Sequence, residues 1–234
     1  SKKVLEGNYN GTSSHYITLL DGIRELCEEN HVRMYYSQGC LLDDPANEYE
    51  AMAEYKIGEV KAVARRADVV FLCVGLDPTM EGEEGNETTD GFGDKRRLGL
   101  SDPQKEMCNA VFSLGKPVVL LVTGGSSIDI SPYNKQAAAV LYTWYSGEEG
   151  GHGAADILSG KACPSGHLPI TIYSEENTLP DFTDYAMKGR TYRYMTQEPL
   201  YTFGYGLSYT TFALENAQAR VEEDQVVCTL DIEN

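Results

Sequence analysis

Positive charge is what this sequence has least of. It sets 19 Lys and Arg against 36 Asp and Glu, a formal net charge of −17 over 234 residues. Phosphate backbones are bound by clustered Lys and Arg, so no nucleic-acid partner is expected, and docking on anionic membranes is disfavoured for the same reason. A soluble acidic surface is the plainer reading of the charge. Long apolar runs are missing too. The longest, such as 118–122, have strand length, so no membrane-spanning segment is expected. Ser1-Lys2-Lys3-Val4 opens no apolar stretch of the kind a secretory leader needs.

Paired metal-ligand motifs are also lacking. Six cysteines are scattered without a Cys-x-x-Cys pair, and the four histidines, His15, His31, His152 and His167, show no ligand spacing. No zinc site and no cofactor are expected. Buried free thiols are the simpler account of the cysteines, which leans towards a reducing, cytoplasmic compartment. Thr123-Gly124-Gly125-Ser126-Ser127 lacks the Lys-Ser/Thr of a phosphate loop. No Gly-x-Gly-x-x-Gly opens a helix, and no Gly-x-Ser-x-Gly elbow supports a serine hydrolase.

What is present is alternation. Helical spacing over 14–30 and 49–66, and again after Ser101, is interleaved with apolar strand-like runs at 32–36, 69–74, 117–122, 138–144 and 168–172. Such alternation predicts an α/β fold with a mostly parallel sheet covered on both faces. Ser101 followed by Gln104 predicts a capping box at the start of the third long helix. After Tyr173 the pattern changes. Residues 179–212 are rich in Pro, Gly and Tyr with no helical period, and two alternating stretches, 217–222 and 226–232, predict antiparallel strands. Two strands alone do not make a stable sandwich, so they are expected to open a second, all-β domain that continues beyond them.

The most informative stretch runs from Thr79 to Leu100. It is a long, acidic, Gly-rich loop that leaves the core strand at 69–74 and carries Glu81, Glu83, Glu84, Glu87, Asp90 and Asp94. In parallel α/β sheets ligands bind at the carboxyl ends of strands, and long loops there are often functional. Crowded carboxylates suit proton transfer, because like charges raise a carboxyl pKa. The plainer alternative is a solvated loop neutralised by Lys95-Arg96-Arg97.

Several segments together resemble glycoside hydrolase family 3, the β-glucosidases and β-xylosidases. They include Gly7-Asn8-Tyr9-Asn10-Gly11-Thr12, Gly75-Leu76-Asp77 with Glu81-Gly82-Glu83-Glu84, and Trp144-Tyr145-Ser146-Gly147-Glu148-Glu149-Gly150-Gly151. Pro164-Ser165-Gly166-His167-Leu168-Pro169 and Gly189-Arg190-Thr191-Tyr192-Arg193-Tyr194 continue the likeness. The most specific run is Pro199-Leu200-Tyr201-Thr202-Phe203-Gly204-Tyr205-Gly206-Leu207-Ser208-Tyr209. Leu100-Ser101-Asp102-Pro103-Gln104 departs from the family's commoner Leu-Pro-Gly-x-Gln.

The resemblance implies a six-stranded α/β sandwich over 1–178, here without its first strand. A connecting segment over 179–212 and the first strands of a fibronectin III-like domain over 213–234 would follow. It implies a retaining β-glycosidase acting on oligosaccharides or glycosides. The nucleophile Asp would lie on a barrel domain of the same parent chain, so these residues alone would be inactive. The acid/base would be a Glu beside Gly in the acidic loop. Glu83 fits best, Glu81 is the alternative, and Glu84 stays open. Tyr9 and Asn10 would flank the leaving-group side, Tyr9 stacking on a sugar and Asn10 bonding a hydroxyl; a plain turn is the competing reading. A carbohydrate-binding or interaction domain without catalysis is the rival from another class.

Overall fold

The computed structural model describes residues 1–7, 9–42, 50–81, 95, 97–177, 179–181 and 183–234. A 3₁₀ turn at Lys2–Leu5 precedes α1 (Leu19–Glu29) and α2 (Glu50–Arg66). Then come β1 (Val70–Gly75), α3 (Asp102–Phe112), β2 (Val118–Thr123), the short α4 (Ser131–Asn134), β3 (Ala139–Tyr142) and α5 (Gly150–Ser159). The single turn α6 (Thr191–Tyr194) follows, and the hairpin β4 (Ala213–Glu222) and β5 (Gln225–Glu233) ends the chain.

β1, β2 and β3 pair in that order, all parallel, with Leu72 opposite Leu120 and Leu120 opposite Val140. β2 is central, and its alternation sorts two cores. Leu120 and Val122 pack with Leu72, Val74, Ile57 and Val60 of α2 and Met107, Cys108 and Val111 of α3. Leu121 faces the other way, against Leu19 and Ile23 of α1 and Ala154 of α5. A side-chain period of two on a strand covered by helices on both faces requires this. The α/β reading therefore holds, with three parallel strands among the described residues.

Two of the expected strands do not join that sheet. Residues 32–36 make no ladder among the described residues. The segment is tethered by Val32 N–H donating to Cys27 O at 2.8 Å, and by the Arg66 guanidinium 4.3 Å over the Tyr35 ring. Residues 168–172 meet the Tyr-rich tail instead. Leu168 N–H donates to Tyr205 O at 2.8 Å and Ile172 N–H to Tyr201 O at 2.9 Å, forming one isolated antiparallel bridge. The local pattern of both segments is strand-like, but a strand exists only where a ladder partner does.

The ends of two helices also differ from expectation. α1 starts at Leu19 rather than near Ser14. Its true capping box is Thr18 with Asp21, where Thr18 Oγ1 accepts from Asp21 N and Asp21 Oδ2 accepts from Thr18 N at 3.1 Å. The Thr18 hydroxyl, first among its partners, holds the Asp21 carboxyl below its ordinary pKa. Ser101 does precede α3, but no capping box forms there. Gln104 turns inward instead, accepting from Gly75 N at 2.8 Å and donating to Gly75 O at 2.9 Å and Leu42 O at 3.0 Å. Its side chain thus ties the start of α3 to the exit of β1.

α1 and α5 cross at glycines. A Cβ on Gly151 would overlap the Thr18 carbonyl and stand 2.8 Å from Ile17 O. Gly151 N–H donates to that same Ile17 O at 2.9 Å. Close backbone approach, not flexibility, is what this glycine provides.

The hairpin meets the expectation of antiparallel strands. A bulge between Glu215 and Gln218, with Asn216 at φ 52°, shifts the register by one residue. That shift brings Leu214, opposite Ile232, onto the face that carries Val221 opposite Val226. All four side chains are exposed.

Candidate functional site

The carboxyl ends of the three parallel strands converge on one carboxylate. β1 ends at Gly75 (φ 134°), and the chain then turns at Asp77, whose carboxylate accepts from Thr79 N at 2.8 Å. This delivers Glu81. β2 ends at Thr123 and runs into Gly124-Gly125-Ser126-Ser127. β3 ends at Tyr142, and Trp144, at φ 54°, swings the next residue back across the strand ends. A bulky residue with positive φ is costly backbone, held only where surroundings over-determine it. Here it aims the Tyr145 ring.

Glu81 joins all three exits. Its Oε2 accepts from Gly125 N at 2.7 Å and from the Tyr145 hydroxyl, and its Oε1 accepts from the Ser126 hydroxyl. The Tyr145 ring is wedged between two glycines. A Cβ on Gly125 would stand 3.0 Å from its Cε2, and one on Gly7 3.3 Å from its Cδ2. Burial, then the bond to Glu81, pushes the Tyr145 phenol well above its ordinary pKa, so it is a proton donor in that bond throughout the physiological range. Half-buried Lys95 donates through Nζ to Ser127 O, and burial lowers its pKa to about 8 against the attraction of Glu81.

Tyr145 also lines an open cleft of about 450 Å³ with Glu6, Gly7, Asn10, Thr12 and Glu148. Of the two residues expected beside a sugar, the structure brings only Asn10 here, its Nδ2 donating to Gly11 O at 2.7 Å. Tyr9 is 83% exposed and stands outside the cleft lining. Glu83, the first choice for acid/base, lies outside the described residues, as do Glu84, Glu87, Asp90 and Asp94. Glu81, the alternative, is held by main-chain and side-chain donors of neighbouring strands.

Glu148 and Glu149 have the structural role that their place at a helix start suggests. Glu148 accepts from Ser14 N at 3.2 Å. Glu149 bridges His15 and His152 Nδ1, the latter at 2.5 Å, while His152 Nε2 meets Glu25 at 2.9 Å. Hydrogen bonds to these carboxylates raise the pKa of both histidines. This chain of charges fastens Ser14 and His15, which directly follow the cleft-lining Ser13, to α1 and α5. Among the described residues, no group of three or more His, Cys, Asp or Glu could hold a metal ion. No described helix is long and apolar enough to cross a membrane.

Residues 1–209 match the model of the glycosyl hydrolase family 3 C-terminal domain. The chain belongs to glycoside hydrolase family 3. Its relatives include a xylan 1,4-beta-xylosidase of Xylanibacter ruminicola, 37% identical over 191 residues, which cover 81% of this chain and 22% of that protein. A periplasmic beta-glucosidase of Salmonella typhimurium is 30% identical over 231 residues, covering 88% of this chain and 29% of its own length. Among solved structures, the family 3 exo-beta-xylosidase XlnD superposes with a TM-score of 0.75 at 28% identity, over 92% of this chain and 27% of that one. The beta-glucosidase of Bifidobacterium adolescentis gives 0.74 at 25%, over 97% and 33%. The chain thus spans between a fifth and a third of the length of these family 3 proteins.

Tyr145 is the site residue that sequence reasoning missed. In sequence it does not differ from tyrosines that simply pack together, as Tyr142 meets Tyr201 edge-on at 6.1 Å and Tyr201 stacks on Tyr205 at 5.0 Å. The only available signal was its place just beyond the carboxyl end of a core strand.

Proposed function

We propose that this chain is the α/β part of a retaining β-glycosidase that removes terminal β-linked xylose or glucose from oligosaccharides or glycosides, with Glu83 as general acid/base. The observation that carries this is the convergence of Glu81, Gly125–Ser127 and Tyr145 at the carboxyl edge of the sheet, from which the acidic segment leaves. The xylosidase and glucosidase names of the family 3 relatives supply the substrate class.

Retaining hydrolysis needs two carboxyl groups about 5 Å apart, one attacking the anomeric carbon and one protonating the leaving oxygen. On this reading the nucleophile is an Asp on a barrel domain of the same parent chain, and residues 1–234 are inactive alone. The cleft beside Tyr145 and Asn10 takes the leaving group. Asn10 offers a hydroxyl partner there, while Tyr9, exposed in this structure, stacks on a sugar only once substrate is bound. The domain limits follow suit: sandwich over 1–178, connector over 179–212, and the hairpin as the opening of a fibronectin III-like domain. The exposed apolar face of Leu214, Val221, Val226 and Ile232 supports that last assignment, since an isolated hairpin cannot bury it.

Substituting Glu83→Gln in the full-length enzyme tests the acid/base role. General acid catalysis is worth about 10²–10⁴-fold, so kcat/KM on glycosides with poor leaving groups is expected to fall by that order. Activated aryl glycosides, which need little protonation, should lose roughly tenfold or less. Equal losses on both, or none, would remove Glu83 from the role.

A further inference from the structure

We propose that Glu81 and Lys95 are positioning residues, which fix the two ends of the acidic segment between them to the turn after β2, and that Glu81 is not the proton donor. The proposal rests on the glycosidase reading only for its kinetic consequences. The anchoring itself stands on contacts within this chain.

A carboxyl group that protonates a leaving oxygen must present an O–H towards substrate. Both Glu81 oxygens instead accept from the protein: Oε2 from the Gly125 amide at 2.7 Å and the Tyr145 hydroxyl, Oε1 from the Ser126 hydroxyl. The three donors come from the exits of two other strands, so this one side chain stitches the ends of β1, β2 and β3 together. Oε2 already accepts two hydrogen bonds, so a proton there would have to displace one of them. Fourteen positions along the chain from Glu81, Lys95 meets the same turn and donates to the Ser127 carbonyl. The turn is held from behind as well, Ser127 Oγ accepting from Tyr173 N at 3.1 Å.

Two anchors on adjacent residues hold Glu81 and Lys95 at one turn, so these two positions cannot drift apart. Catalytic groups misplaced by about 1 Å can lose on the order of 10²-fold, so fixing the ends of a loop that carries an acid/base is a kinetic contribution. The Tyr145 ring carries the same linkage to the cleft wall at Gly7.

The test compares Glu81→Ala, Glu81→Gln and Ser126→Ala. Gln keeps an acceptor for the Gly125 amide, and hydroxyls can rotate to accept from its amide group. The first readout is trypsin cleavage after Arg96 in the whole chain, which does not depend on any activity. Glu81→Ala should be cut at least tenfold faster than wild type, Ser126→Ala to a lesser degree, and Glu81→Gln close to wild type. If Glu81→Ala does not fold, Ser126→Ala still decides, because it removes one donor and leaves the carboxylate. The second readout is kcat/KM of the full-length enzyme across aryl glycosides. Positioning predicts one loss common to all leaving groups for Glu81→Ala, with Glu81→Gln recovering most of it. Unchanged cleavage in both Glu81→Ala and Ser126→Ala would overturn the anchor. A Glu81→Gln loss as deep as that of Glu81→Ala, growing with leaving-group basicity, would make Glu81 the proton donor. Loss of the glycosidase reading would show as an inactive wild type and would leave the cleavage result standing.

Discussion

Gly151→Ala is expected to destabilise the chain by about 3 kcal/mol, whereas Gly153→Ala, two residues along the same helix, is expected to stabilise it by about 0.5–1 kcal/mol. Both are glycines of α5, and in both the alanine gains helix propensity. The difference lies in what the new methyl meets. At 153 nothing stands within 4 Å. At 151 the methyl runs into the backbone of Thr18 and Ile17, and backbone cannot rotate away as a side-chain tip can. Relief requires α1 to withdraw, which also breaks the 2.9 Å bond from Gly151 N to Ile17 O and loosens Leu19 and Ile23 against Ala154. Urea unfolding of the two variants beside wild type reads the sign directly. Equal effects of the two changes would mean that α1 and α5 do not cross at this glycine.

Gln104→Leu is expected to cost about 3–5 kcal/mol, which for a chain of this size lowers Tm by roughly 10 °C or more. Leucine fills a similar volume, so the loss is one of hydrogen bonds. Gln104 is 1% exposed and serves both the N–H and the C=O of Gly75 together with Leu42 O. Each buried polar group left without a partner costs about 1–3 kcal/mol. Ser101→Ala, which removes only a hydroxyl donating to Leu42 O and accepting from Gln104, should cost about 1 kcal/mol. Thermal melts of the two variants are the check; near-equal shifts would place the side chain of Gln104 in solvent.

These two residues show how far the sequence carries. The alternation of helices and apolar strands was legible because β1, β2 and the helices around them repeat their burial pattern over many residues. Ser101 with Gln104 has the spacing of a capping box, yet the glutamine spans from α3 to the exit of β1, 29 residues away in sequence. Spacing alone cannot separate a local reach from a tertiary one. Thr18 with Asp21 forms the box instead, inside the stretch 14–30 whose helical spacing already begins at Ser14. The segments at 32–36 and 168–172 carry strand composition, but a ladder partner is no property of a single segment.

The site was legible in part for similar reasons. The acidic loop announced itself by length and charge at the end of a buried strand. Glu81 is the alternative to Glu83 as proton donor because the family resemblance implies a Glu beside Gly in this loop. Its partners in space are Gly125, Ser126 and Tyr145, between 44 and 64 residues away. Tyr145 carried no mark that set it apart from the other tyrosines, since its position depends on the left-handed turn at Trp144 and on two glycines that make room for its ring.

The most direct test of the glycosidase assignment is the anomer released first. The full-length protein is mixed with an aryl β-xyloside and, separately, an aryl β-glucoside, and proton NMR follows the sugar before mutarotation equilibrates it. The account predicts turnover of at least one of them with the β-anomer appearing first, as a double displacement through a covalent intermediate requires. Release of the α-anomer first, or no turnover of either substrate, would contradict it.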